Sequence, residues 1–335
     1  MMHFLIDWFG NGFGNLHGWL FEAIVQPVVF LLGFGEYTEE AFEGTEWFMI
    51  GVCELALLFA ILRPLEALWP VQKITDAGAR WNDFIYTVIH RVGLFSVLIF
   101  FTLDPLMDYL TGLLRLDNIH PVNLETFWPD ISPIASFMLY FVVLDFFDYW
   151  YHRASHQFNW WWGLHSLHHS QQNMNLWSDN RNHLLDDVLR DIYMALIALG
   201  IGVQPAQYML LVSLSRILES VQHANIRLHF GRIGECLLVS PRYHRMHHAI
   251  GAGAKSDGKP SLGGCNFAVL LPLWDILFGT ANFRPEFVAT GVRDQLSSTN
   301  RIGVMLPGRD YGAGFWQQQW LGLQRMFDYM KRGPG

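Results

Sequence analysis

The chain has 335 residues, enough for one large domain or two small ones, and 51% of them are hydrophobic against 16% charged. With 14 Trp and 26 Phe it carries more apolar surface than one water-soluble core uses, and a bilayer is the natural place for the excess. A formal charge of -8 with no long basic run argues against nucleic acid as a partner.

Residues 1–46 form an N-terminal segment without the basic stretch and cleavage site of a secretory leader, so removal of a leader is not expected. Within it, residues 17–34 are apolar but contain Glu22, Gln26 and Pro27, which suits an interfacial or re-entrant helix better than a span. Residues 47–133 hold two expected spans. The first is WFMIGVCELALLFAILRPLE (47–66), ended by Arg63 and the Trp69-Pro70 pair, and the second runs from about Phe84 to Phe101. A third span, from about Ile134 to Tyr149, opens the region 134–285. Two further apolar stretches between 188 and 222 are broken at Gln204-Pro205 and predict a helical hairpin. Residues 286–335 read as a C-terminal tail.

Lys and Arg collect on the cytoplasmic side of membrane proteins. Residues 1–62 contain none, whereas Arg63, Lys73 and Arg80 follow the first span, so the N-terminus is expected outside. Arg153, Arg181, Arg242, Arg245, Lys255 and Lys259 follow the third span, which puts everything from His152 onward, apart from the hairpin, on the cytoplasmic side. Three scattered cysteines (Cys53, Cys236, Cys265) make no CxxC and fit a reducing compartment. No GxGxxG opens a helix, so an internal nicotinamide or flavin domain has no support, and GAGAKSDGKP (251–260) reads as a loop rather than a phosphate cradle.

Eleven of the 15 histidines fall in a 97-residue window from 152 to 248. They form HxxxH (His152, His156), HxxHH (His165, His168, His169), the single residues His183, His223 and His229, and a second HxxHH (His244, His247, His248). Spacings of three and four share a helical face, so each motif aims two or three imidazoles at one point. The hairpin returns the chain to the side it left, which lets all of them gather at one edge of the bilayer. Ten candidate ligands exceed the four of a structural zinc and amount to about five for each metal of a dinuclear centre. His3, His17, His90, His120 and His229 are expected to be capping or interfacial instead. Asp145 and Asp148 precede His152 on its helical face, and Asp186 and Asp187 follow His183; all four are expected as carboxylates that orient imidazoles, Asp148 and Asp187 foremost, with a salt bridge to Arg190 or Arg216 as the alternative.

DYWYHRASH (148–156), WGLHSLHHS (162–170), QHANI (222–226), PRYHRMHH (241–248) and LWDILFGT (273–280) resemble the signature blocks of the fatty acid hydroxylase and sterol desaturase superfamily. The resemblance implies an all-α integral membrane bundle of four to five transmembrane or hairpin helices, with a cytoplasmic helical cap that holds a histidine-rich dimetal site. It implies two iron ions, for which zinc can substitute on purification, acting with O2 on a C–H bond of a fatty acyl, sterol or related lipid by hydroxylation, desaturation or ether cleavage. There is no cytochrome b5-like segment, so NAD(P)H-derived electrons are expected through a separate cytochrome b5- or ferredoxin-type protein. His183 is followed by Leu184, where the family block carries proline. The residues themselves also leave open a zinc-dependent membrane hydrolase, opposed by the lack of HExxH, and a metal transporter or sensor, opposed by motifs that follow the spans rather than sit mid-bilayer.

Overall fold

The computed structural model describes residues 2–93, 109–114, 116, 122–250, 264–299 and 305–332. The far end of the expected second span, His120 and the glycine-rich 251–260 segment lie outside these residues, as does the side chain of His3. The described chain is helical, and its strands are one antiparallel pair, Ser298–Thr299 with Met305–Leu306. Contacts divide it into two units, 1–57 with 88–118, and 58–87 with 119–335.

The first unit contains α1 (Met2–Leu20), α2 (Gln26–Leu31) and α3 (Thr38–Leu57), joined by a π turn over Phe21–Val25 and a 3-10 turn over Gly35–Tyr37. The helix therefore starts well before residue 17. His17 is buried and lies 2.9 Å from the Phe42 carbonyl, a packing role in line with its sequence reading. A buried ion pair, Glu54 with Arg91 at 2.8 Å, lies in the same unit.

The helical run continues through α4 (Arg63–Leu68), and α5 covers Ala77–Arg91. Two helical stretches among the described residues are long and apolar enough to cross a membrane, Gly35–Leu68 and Pro133–Gln157, and they contain the expected first and third spans. The latter, α6, starts where Ser132 caps the Ala135 amide and Pro133 occupies a position needing no N–H. At Phe158 the backbone turns extended and α7 (Asn159–His169) begins. The hairpin follows as α8 (Leu184–Gly200) and α9 (Pro205–His223), broken at Gln204-Pro205 as the sequence predicts. Tyr140, Phe141, Leu144, Ala198, Leu211, Val269 and Leu270 bury a core shared by α6, α8, α9 and the 269–271 segment.

Three short helices, α10 (Gly231–Leu237), α11 (Pro241–His247) and α12 (Leu273–Leu277), and the longer α13 (Phe315–Arg332) complete the second unit. The long connection from α7 to α8 is buried, and its polar backbone must find partners inside the protein. Two buried acids anchor it, Asp83 through the connection's side chains and Glu66 through a backbone amide. Asp83 accepts from Gln171, Asn175, Ser178 and Arg181, and Glu66 accepts from the amides of Leu176 and Asn225. α13 lies against α7 at Gly163, where a Cβ would come within 2.6 Å of the Met326 backbone nitrogen. Only glycine permits that approach.

Candidate metal centre

Nine of the ten expected histidines converge. His152, His156, His165, His169 and His247 form one group, and His168, His223, His244 and His248 form another; in each, one ring nitrogen per residue lies within 4.8 Å of all the others. The groups adjoin, with the His169 and His248 rings stacked at 4.3 Å across the division.

The tautomers follow from the partners, because a carbonyl only accepts and the nitrogen facing it must carry the proton. Nδ1 of His152 donates to the Phe267 carbonyl, Nδ1 of His247 to that of Cys265, and Nδ1 of His223 to that of Glu219, each at 2.8 Å. Nδ1 of His165 faces the Asp186 carboxylate at 3.0 Å. Nε2 of these four rings is left with its lone pair. In the first group, Nε2 of His156, His165, His169 and His247 is buried without any protein partner. In the second, His223 Nε2 lies 3.2 Å from His168 Nε2 and 3.0 Å from His244 Nε2, and His248 Nε2 lies 3.1 Å from His244 Nε2. Metal–nitrogen bonds of about 2.0–2.1 Å set neighbouring ligand atoms about 3.0–3.4 Å apart, so the spacing suits a cation between them. Burial, reinforced by neighbouring imidazoles, holds His168, His169, His244 and His248 well below the usual histidine range. Burial brings His247 to about 3. Neutral imidazole is the form that binds a metal.

Neutral imidazoles would leave the charge of any bound cation uncompensated, and the surroundings are acidic. A cavity bordered by His152, His165, His168, His223 and His244 is also lined by Asp148, Asp179, Asp186, Asp187 and Glu219. Against these five carboxylates stands one guanidinium, Arg190, giving a formal charge of -4.

The tenth expected ligand, His183, lies outside both groups. Its Nδ1 caps α8 by accepting from the Leu185 amide at 3.1 Å, and its Nε2 donates to the Gln319 carbonyl at 2.9 Å. Both nitrogens are engaged, and Gly322 of α13 leaves just enough space for the ring: a Cβ there would lie 2.4 Å from His183 Cδ2. His183 fastens α13 to the start of α8. His229 likewise stays outside the groups, accepting from the Gly231 amide.

The carboxylates also depart from their expected roles. Asp148 accepts from Arg190, which also pairs with Glu219, and thus follows the salt-bridge alternative. Asp145 accepts from the Leu270 and Leu271 amides and from Trp274. Asp187 borders the cavity, but the carboxylate on an imidazole is its neighbour Asp186, which also accepts from Trp161 and Tyr151. Sequence reasoning missed Asp275, fully buried, which accepts from Tyr243, Thr280 and the amides of Phe267 and Ala268. It ties the 267–268 turn, and with it the carbonyl that orients His152, to the α11 helix. Carbonyls leave no trace in a sequence, but a lone acid inside the apolar LWDILFGT block is a signal that was there to read.

A second cavity lies between α6, α8 and α9, lined by Phe141, Leu144, Met194, Leu211 and Val212 together with Asp145, Asp191, Ser215 and Arg216. Both cavities share Asp148, Arg190 and Glu219, so that ion cluster stands between them.

Residues 137–280 match the family model described as fatty acid hydroxylase. The human alkylglycerol monooxygenase is 28% identical over 58% of this chain and 41% of its own length. Ornithine lipid hydroxylase OlsE of Rhizobium tropici is 25% identical over 73% of this chain and 70% of its own length, and the alkylglycerol monooxygenase of Danio rerio is 25% identical over 65% and 45%. The chain thus spans less than half the length of these alkylglycerol monooxygenases. No solved structure matches.

Proposed function

We propose that this chain, whose residues 137–280 match the fatty acid hydroxylase family model, is an integral multi-pass membrane oxidoreductase that holds two iron ions and uses O2 to oxidise a C–H bond of a lipid. The observation that carries the reading is the sorting of nine imidazoles, eight of them buried, into adjoining groups of five and four. A structural zinc needs four ligands, and no single ion takes nine. The names of the relatives, monooxygenase and hydroxylase acting on lipids, agree with it.

The proposed ligands are His152, His156, His165, His169 and His247 for one ion and His168, His223, His244 and His248 for the other. When bound, the two ions with O2 supply the oxidising power to remove hydrogen from an unactivated carbon. The chain's own residues do the rest. Carbonyls of Phe267, Cys265 and Glu219 and the Asp186 carboxylate fix the imidazole tautomers. Cavity carboxylates offset the metal charge. The aliphatic side of the second cavity, with Phe141, Leu144, Met194, Leu211 and Val212, receives the lipid chain, and the Asp148–Arg190–Glu219 cluster separates it from the metal-facing cavity. Holding one carbon within reach while excluding water is the protein's main contribution. Hydroxylation consumes O2, two electrons and two protons and yields the alcohol and water; the electrons come from a separate cytochrome b5- or ferredoxin-type donor. The metal centre lies at the cytoplasmic edge of the bilayer, with the helices after α6, apart from the α8–α9 hairpin, as its cap.

Purified protein given a reductant and lipid should consume O2 and form an oxidised lipid, and His168→Ala should abolish both. Turnover that persists without O2 would overturn the proposal.

A further inference from the structure

Among the side chains that border the metal-facing cavity, Gln222 has a distinct state. It stands on α9 immediately before His223 and is only 1% exposed, yet neither its amide oxygen nor its amide nitrogen meets a protein partner. Its neighbours are engaged: Ser220 donates to Asp179, Glu219 holds Arg190, and His223 is pinned through Nδ1. A buried carboxamide with donor and acceptor both unused is unfavourable in a folded protein unless something else satisfies it. It offers a matched donor and acceptor to any group brought beside His168, His223 and His244.

We propose that Gln222 is a substrate-contacting residue whose carboxamide hydrogen-bonds a hydroxyl or amide group of the lipid, carried close to the carbon that is oxidised. This rests on the lipid-oxidising reading and adds the class of lipid. The metal-facing cavity agrees with it, since Gln222 borders the same space as His168, His223 and His244, so a polar group held there lies beside the candidate metal ligands. A methylene far along an unsubstituted chain would leave Gln222 unsatisfied. Sites that hydrogen-bond a substrate group discriminate strongly against an analogue lacking it.

The test is binding without turnover, so that it reads the contact even where no oxidation occurs. Zinc-loaded full-length protein in detergent micelles is titrated with hexadecyl glycerol ether and with hexadecane, each displacing a fluorescent lipid. Gln222→Leu, of similar bulk and without polar atoms, should keep the wild-type metal content and an equal or higher melting temperature, because no protein partner is lost. It should bind the glycerol ether at least about tenfold more weakly and hexadecane unchanged. Gln222→Asn, which keeps the amide on a shorter arm, should fall between the two for the ether. Loss of stability or metal in Gln222→Leu would assign a structural role and overturn the proposal. So would both variants binding the ether as tightly as the wild type. Absence of O2-dependent oxidation with intact ether discrimination would instead count against the catalytic reading alone.

Discussion

The helices α7 and α11 carry the same HxxHH pattern and divide it in opposite ways. α7 sends His165 and His169 to the five-imidazole group and His168 to the four-imidazole group, whereas α11 sends His247 to the first and His244 with His248 to the second. On a helix, i+4 is offset from i by about 40° one way and i+3 by about 60° the other, so each motif shares one face yet fans its rings in two directions. The supports differ too. His165 leans on a carboxylate, Asp186, and His247 on a backbone carbonyl, that of Cys265. Identical spacing thus specifies how many ligands a helix offers, and the helix's placement decides which ion receives them.

The largest expected effect breaks this division apart. His244→Ala and His247→Ala, three residues apart on one helix, should each lower metal content to about one ion per chain by striking different groups, with turnover lost in both. Elemental analysis of each single variant and of the pair checks it: the double variant should retain no tightly bound metal. If the two single variants deplete the same ion, the partition is wrong.

A smaller effect separates the two kinds of support. Asp186→Asn keeps the shape but removes the charge behind His165, and partners of this sort are worth about 10–100-fold in metal affinity or activity. Competition with a chelator measures the affinity. The five-imidazole ion should weaken and the other should not.

The smallest effect concerns the histidine that sequence grouped with the ligands. His183→Ala removes a helix cap and the bond to Gln319, so it should cost about 1–2 kcal/mol of stability, read as a lower melting temperature, while both ions remain. Loss of an ion would return His183 to the metal centre.

His183 also shows where sequence reading ran out. Its place in the window of clustered histidines is equally compatible with a ligand and with a cap, and the choice depends on α13, whose Gly322 and Gln319 lie more than 130 residues away. Asp148 and Asp186 pose the same problem. Each shares a helix or a turn with a histidine, yet Asp148 meets Arg190 and Asp186 meets His165, contacts made between separate helices.

By itself the sequence determined the helical class, the break at Gln204-Pro205, two stretches apolar enough to cross a bilayer, and the three histidine motifs, because helical period, proline geometry and hydropathy act between near neighbours. Tertiary structure alone decided which imidazole joins which group, which carboxylate holds a ring and which holds Arg190, and that Gln222 faces a cavity unpartnered. Those outcomes depend on how helices cross and on carbonyls far along the chain, and no local pattern encodes them.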